Sequence, residues 1–197
     1  WCVSGRASTR RLARRSGRPE AWGARGGRPV IVVRRAEPGD AQALVELAAS
    51  IGREPGRWLL TTEVRRSVAD ERRYLRNVRR HPDAAVYVAE DGQALVGRLS
   101  VSRDLHPASP HVADLGLMVA ATHRRRGVGR ALLEQAVAWA RASGVRKLEL
   151  HVFPWNEPAI ALYEAFGFER EGVRHGHYVR DGEDVDALLM AYRVPRA

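Results

Sequence analysis

The amino-acid sequence predicts a mixed α/β domain, in which a mostly antiparallel sheet of six to seven strands is flanked by about four helices. Three observations carry that class. Strand-like and helix-like apolar patterns follow one another between Val30 and Tyr192 in the order β-α-α-β-β-β-α-β-α-β-β. Two short glycine turns, Asp91-Gly92-Gln93 and Asp181-Gly182, each join a pair of β-rich runs in the manner of antiparallel hairpins. The strand–loop–helix–strand series from Val112 to Phe153 reads as a parallel crossover.

Val30 to Arg34 is an unbroken apolar run and predicts a strand buried on both faces, which Glu37-Pro38-Gly39-Asp40 turns into a helix. Leu44, Leu47, Ala48 and Ile51 recur at helical spacing, so the first helix spans about Asp40 to Ile51 and ends at Gly52. Thr61-Thr62-Glu63 is expected to cap a second, Arg-rich helix that reaches Val78, with Val64, Val68, Tyr74, Leu75 and Val78 as its apolar side. The connection between these helices carries Arg57 and Trp58 and is a candidate lid. Ala85 to Glu90 and Ala94 to Ser102 form the first hairpin. Val112 to Val119 is the strand before a basic glycine loop, and Arg130 to Ala142 is a helix lined by Leu132, Leu133, Ala136, Val137 and Ala140 and stopped by Gly144. Lys147 to Phe153 alternates as a half-buried strand. Asn156 can cap the next helix, with Pro158 in its first turn and Gly167 at its end. Val173 to Arg180 and Val185 to Tyr192 make the last hairpin.

At 197 residues the chain suits one domain of ordinary size. The formal charge of +10 invites a nucleic-acid partner, but residues 1–29 hold eight arginines against Glu20 alone, leaving only +3 for the remainder. Residues 1–29 therefore read as a disordered basic tail and residues 30–197 as the folded domain. The tail is Arg- and Ser-rich like a transit peptide and has no apolar core of a secretory signal. A single cysteine, Cys2, cannot close an internal disulfide, and no apolar run approaches the roughly 18 residues that span a bilayer. A cytoplasmic protein without a membrane partner is expected.

The densest chemistry lies in Val119 to Leu133, where an apolar strand runs through Thr-His-Arg-Arg-Arg-Gly-Val-Gly-Arg into a helix. Gly127 and Gly129 let backbone N–H groups approach a bulky anion, and the following helix adds its positive end. A Walker A loop would need Lys-Ser/Thr after the second glycine, and a dinucleotide fingerprint would need glycine or alanine at Leu132. The spacing Arg124-x-x-Gly127-x-Gly129 resembles instead the coenzyme A pyrophosphate loop of the GNAT superfamily of N-acetyltransferases. Leu115 to Val119 before the loop, Asn156 at a helix start, Leu162-Tyr163-Glu164-x-x-Gly167-Phe168 and the element order extend the resemblance over about Val30 to Tyr192. The ending Val185 to Met190 resembles bacterial members that acetylate small amines, amino acids or ribosomal protein N-termini.

The resemblance implies acetyl-CoA as co-substrate, no metal, and transfer to a small-molecule amine or a protein N-terminal amine by direct attack. A second copy of the chain is a candidate partner, and nucleic acid is not the expected one. By the same resemblance Leu117, Met118 and Val119 hold pantetheine through their backbone, and Arg124, Arg125, Arg126, Gly127, Val128, Gly129 and Arg130 surround the pyrophosphate. Asn156 addresses the pantetheine arm and Tyr163 protonates the departing thiolate. Asn156 and Tyr163 stand seven residues, two helical turns, apart, so both lie on one side of their helix. The general base is open among Asp114, Glu149 and His151, with Asp114 first because it shares a strand face with Gly116 and Met118. Cys2 lies far from every motif, which argues against a cysteine acyl-enzyme. His175-Gly176-His177 lacks zinc spacing to other ligands. Two further classes fit parts of the sequence: a coenzyme A-binding regulatory domain without turnover, and a nucleic-acid binder using the basic tail.

Overall fold

The computed structural model of the chain describes residues 31–59 and 67–195. Seven strands form one sheet: β1 (Ile31–Arg35), β2 (Ala84–Asp91), β3 (Ala94–Arg103), β4 (Val112–Val119), β5 (Lys147–Val152), β6 (Glu169–Arg180) and β7 (Glu183–Arg193). Four helices flank it: α1 (Ala41–Gly52), α2 (Val68–Arg80), α3 (Val128–Ser143) and α4 (Glu157–Phe166). The strands lie in the order β1-β2-β3-β4-β5-β7-β6, antiparallel throughout except for the β4–β5 pair. Both glycine turns make hairpins, with Gly92 at φ 62° and Gly182 at φ 85°.

Two expectations change. β1 is not buried on both faces: it is an edge strand, and Val32 is 49% exposed. Ile31 and Val33 pack against the core while the other face meets water, so the apolar run reflects one packed face at a sheet edge. The second helix starts later than expected. Ser67 is its N-cap, accepting a 3.1 Å hydrogen bond from the Asp70 amide, with Asp70 and Glu71 in the first turn to complement the helix dipole. Thr61-Thr62-Glu63 and Val64 lie outside the described residues.

Each sheet face has its own helices. On one, Leu132, Leu133, Ala136 and Ala140 of α3 are fully buried against Leu99, Leu115, Leu148 and Leu150, joined by Ile160 and Tyr163 of α4. Each such leucine contributes on the order of 1.5–3 kcal/mol through burial. On the other face, Leu44 of α1 and Leu75 and Val78 of α2 cover Val86 and Val88. Among the described residues no helix is long and apolar enough to cross a membrane.

The feature that positions the site is a break in the sheet. β4 and β5 pair only at Val112–Lys147, Ala113–Leu148 and Asp114–Glu149. Beyond that point β4 stays with β3 as far as Val119, and β5 stays with β7 as far as Val152. The inner edge of β4 from Leu115 to Val119 therefore has no strand beside it, and its backbone can meet a ligand instead.

Candidate active site

The glycine loop closes one end of this opening. Gly127 caps α3 in the left-handed region at φ 86°, and Arg125 shares that sign at φ 60°. The first intrahelical bond runs from the Ala131 amide to the Gly127 carbonyl at 3.0 Å, so the amides of Val128, Gly129 and Arg130 have no acceptor within the helix. A Cβ on Gly129 would stand 2.7 Å from Cδ2 of Leu162, which shows that this position also sets how closely α3 approaches α4. Next to the loop is a cavity of about 460 Å³ whose walls include Leu117, Met118 and Val119 of β4 together with Arg124, Arg125, Gly127, Gly129 and Arg130. Asn156 and Tyr163 complete it from α4. Two loop residues point elsewhere: Arg126 bonds Asp91 at 3.1 Å, and the Val128 side chain is buried in the core.

Asn156 caps α4, its Oδ1 accepting from the Ala159 amide at 3.3 Å, which leaves the side-chain NH₂ for a second partner. Gly167 ends the helix at φ 111°. Tyr163 lies two turns along, 6% exposed, with its ring 5.5 Å from that of Phe168. Burial first, and the Asp114 charge second, push its hydroxyl pKa up, so the phenol stays protonated and can donate.

The three base candidates meet in a second cavity of about 490 Å³, which Asp114, Glu149 and His151 line with Arg174 and Tyr178. Asp114 is exposed by surface area, but the protein groups crowded around its carboxyl desolvate it, and this, helped by the Glu149 charge and opposed by Arg174, pushes its pKa up to about 6. Glu149 is already engaged by Lys147 at 3.1 Å. His151 shares a 2.8 Å hydrogen bond between Nδ1 and the Tyr178 hydroxyl, and burial lowers its pKa. Asp114 belongs to the second cavity and Tyr163 to the first, but the charge of one is felt at the other. β4 serves both cavities, the second at Asp114, where its pairing with β5 ends, and the first at Leu117 to Val119.

The described part of the α1–α2 connection, up to Leu59, is tied down beside the first cavity by contacts that the sequence did not reveal. Arg124 makes a two-pronged ion pair with Glu54, 2.7 Å at each oxygen, and its Nε donates to the Val119 carbonyl at 3.2 Å. Trp58 Nε1 donates to the same Glu54 at 2.8 Å, and Trp58 and Leu59 line the cavity. Arg180, buried over the Phe153 ring, donates to the carbonyls of Arg57 and Leu59 at 2.9 and 2.7 Å. The cue for Arg124 was its loop position alone. Glu54 sits 70 residues away in a stretch without periodicity. His175 and His177 part company: His175 pairs with Asp186 at 3.0 Å, and the His177 ring packs on His151 and Tyr178.

Comparison with known proteins agrees with this architecture. The acetyltransferase (GNAT) family model matches residues 43–168. The L-amino acid N-acetyltransferase AaaT of Escherichia coli K12 is 33% identical over 165 residues, covering 82% of this chain and 96% of that protein. The ribosomal protein bS18-alanine N-acetyltransferase of the same organism is 43% identical over 70 residues, covering 35% of this chain and 47% of that protein. Among solved structures, a GNAT-family acetyltransferase from Streptococcus pneumoniae superimposes with a TM-score of 0.75 at 25% identity, over 84% of this chain and all of that one. In fold alone, yncA from Salmonella typhimurium with its cofactor acetyl-CoA gives a TM-score of 0.74 at 18% identity, over 85% of this chain and 96% of that one. With a parted β4–β5 pair, a glycine loop at a helix start and a capped α4 carrying Tyr163, the chain belongs to the GNAT acetyltransferase family.

Proposed function

We propose that the chain is an acetyl-CoA-dependent N-acetyltransferase that transfers the acetyl group directly to a primary amine. The observation that carries this reading is the parting of β4 from β5, which leaves β4 lining the second cavity at Asp114 and the first, beside Tyr163, at Leu117 to Val119. Acetyl-CoA suits the first cavity: the free amides at the α3 start and Arg125 and Arg130 are matched to a pyrophosphate, and the unpaired edge of β4 to pantetheine. Arg124 is held by Glu54 and would have to share its guanidinium to join them. The acceptor then enters through the second cavity.

In this scheme Asp114, directly or through water, takes the proton of the acceptor ammonium, which leaves a neutral amine. Its nitrogen attacks the thioester carbonyl carbon, so a C–N bond forms, the C–S bond breaks, and the nitrogen sheds its second proton to water as the neutral amide forms. The sulfur leaves as a thiolate and receives the Tyr163 proton, which solvent later restores. The names of the relatives supply two acceptor types, an L-amino acid and an alanine of ribosomal protein bS18. A panel of amines assayed for thiol release tests the reading. Release with at least one amine supports it; an acetyl-CoA-binding protein that releases no thiol with any amine is a binding domain instead.

A further inference from the structure

We infer that the second cavity selects an acceptor that carries a carboxylate beside its amine, a free α-amino acid rather than a peptide N-terminus, and that Arg174 is the residue that anchors the carboxylate. This rests on the acetyl-transfer reading above and concerns the acceptor half of the same site.

Most of the charges lining that cavity are already spent. Arg103 bonds Asp83 at 2.7 Å and the carbonyls of Ser143 and Pro110. Asp104 accepts from the Ser109 hydroxyl and the His106 amide. Glu149 is paired with Lys147, which Glu171 also holds. Asp104 is in no ion pair, but both its oxygens are taken by these neutral donors, which leaves Asp114 and Arg174 as the two charged side chains whose charge is unspent among the described residues. They line one cavity without reaching each other, and their charges sense each other across it. One open anion facing one open cation is the complement of a zwitterion, with the ammonium toward Asp114 and the carboxylate toward Arg174. A planar guanidinium takes a carboxylate in two parallel hydrogen bonds, a geometry that an amide cannot return.

The backbone shows why Arg174 is available. β6 leaves its register with β7 between Arg174 and Tyr178, where Gly176 stands at φ 55°. The Gly176 amide donates to Asp186 at 2.8 Å and His175 pairs with the same carboxylate, which pins the bulge. Bulges of this kind re-aim the side chains around them. Within the bulge Arg174 has one contact, Nη1 to His177 Nε2 at 3.4 Å. His177 packs edge-on against His151 and Tyr178, so the wall behind the guanidinium is built.

The test uses the full chain at saturating acetyl-CoA with three acceptors that share one side chain: the L-amino acid, its primary amide, and a tripeptide beginning with that residue. The free acid should be favoured by about tenfold or more in kcat/KM, the value of a charge-assisted contact. Arg174→Gln should raise KM for the acid by a similar factor with little change in kcat and abolish the preference over the amide, and Arg174→Lys should restore part of it. Arg174 is exposed, so melting temperatures should stay unchanged. Equal use of acid, amide and peptide by the unaltered chain overturns the proposal while leaving acetyl transfer standing, as does an Arg174→Gln variant that loses all three alike. No thiol from any acceptor overturns both.

Discussion

In the proposed scheme Tyr163 and Asp114 do opposite things with a proton, and their surroundings bias each toward that task. The Tyr163 hydroxyl has no hydrogen-bond partner among the described residues, and burial keeps it protonated. Tyr163→Phe should therefore lower the maximum rate on the order of 10²-fold while acetyl-CoA affinity and melting temperature barely move. If the hydroxyl instead served the core, its removal would cost about 1 kcal/mol of stability with turnover intact. Asp114 gives a pH signature. With its carboxyl near 6, kcat/KM should rise with pH through that value, and Asp114→Asn should remove the rise. Stability runs the other way. A carboxyl raised in the folded state contributes stability at acid pH, below its ordinary value, and loses it as pH climbs through 6. The Asp114→Asn protein should match the parent in thermal melts near pH 4 and melt above it near pH 7; a gap that widens toward acid would mean that Asp114 is not destabilised when charged.

Among the elements, α4 has two duties in the proposed scheme, its own cap and a cofactor contact, that one substitution can separate. Asn156 uses Oδ1 for the cap and has NH₂ to spare, whereas aspartate caps as well but offers no donor. Asn156→Asp should hold the melting temperature and weaken acetyl-CoA binding in titration calorimetry, whereas Asn156→Ala should lose about 1 kcal/mol of stability as well. Retained affinity in Asn156→Asp would reduce Asn156 to a helix cap. The elements legible in the sequence were those with local chemistry: Gly144 and Gly167 ending α3 and α4, Asp91-Gly92 and Asp181-Gly182 turning hairpins, and Leu132 to Ala140 facing the core. What escaped depends on partners distant in the chain. The exposure of Val32 follows from β1 being at the sheet edge, and the fate of Arg124 follows from Glu54. The parted β4–β5 pair, which creates the site, leaves no mark in the alternation of either strand. Gly129 had a signal with two meanings, close approach to an anion and close approach to Leu162, and spacing alone does not separate them.

At the scale of the whole molecule, the proposed scheme draws its acid from α4 and its base from β4, the strand that lines both cavities. The described residues lining the two cavities fall between Ile51 and Tyr178. We propose that residues 1–29, which supply most of the positive charge, are dispensable. A chain starting at residue 30 should keep its turnover and melting temperature; a large loss of either would give that arm a role, and salt-steep DNA or RNA binding confined to the longer chain would name it. Direct transfer can be read by mass spectrometry of one reaction mixture, taking both products and the protein together. Direct attack predicts coenzyme A and N-acetylated acceptor in equal amounts, with the protein mass unchanged even when acetyl-CoA is supplied alone. An acetylated protein that passes its group to the amine, or bound acetyl-CoA that stays intact beside every acceptor, would contradict it.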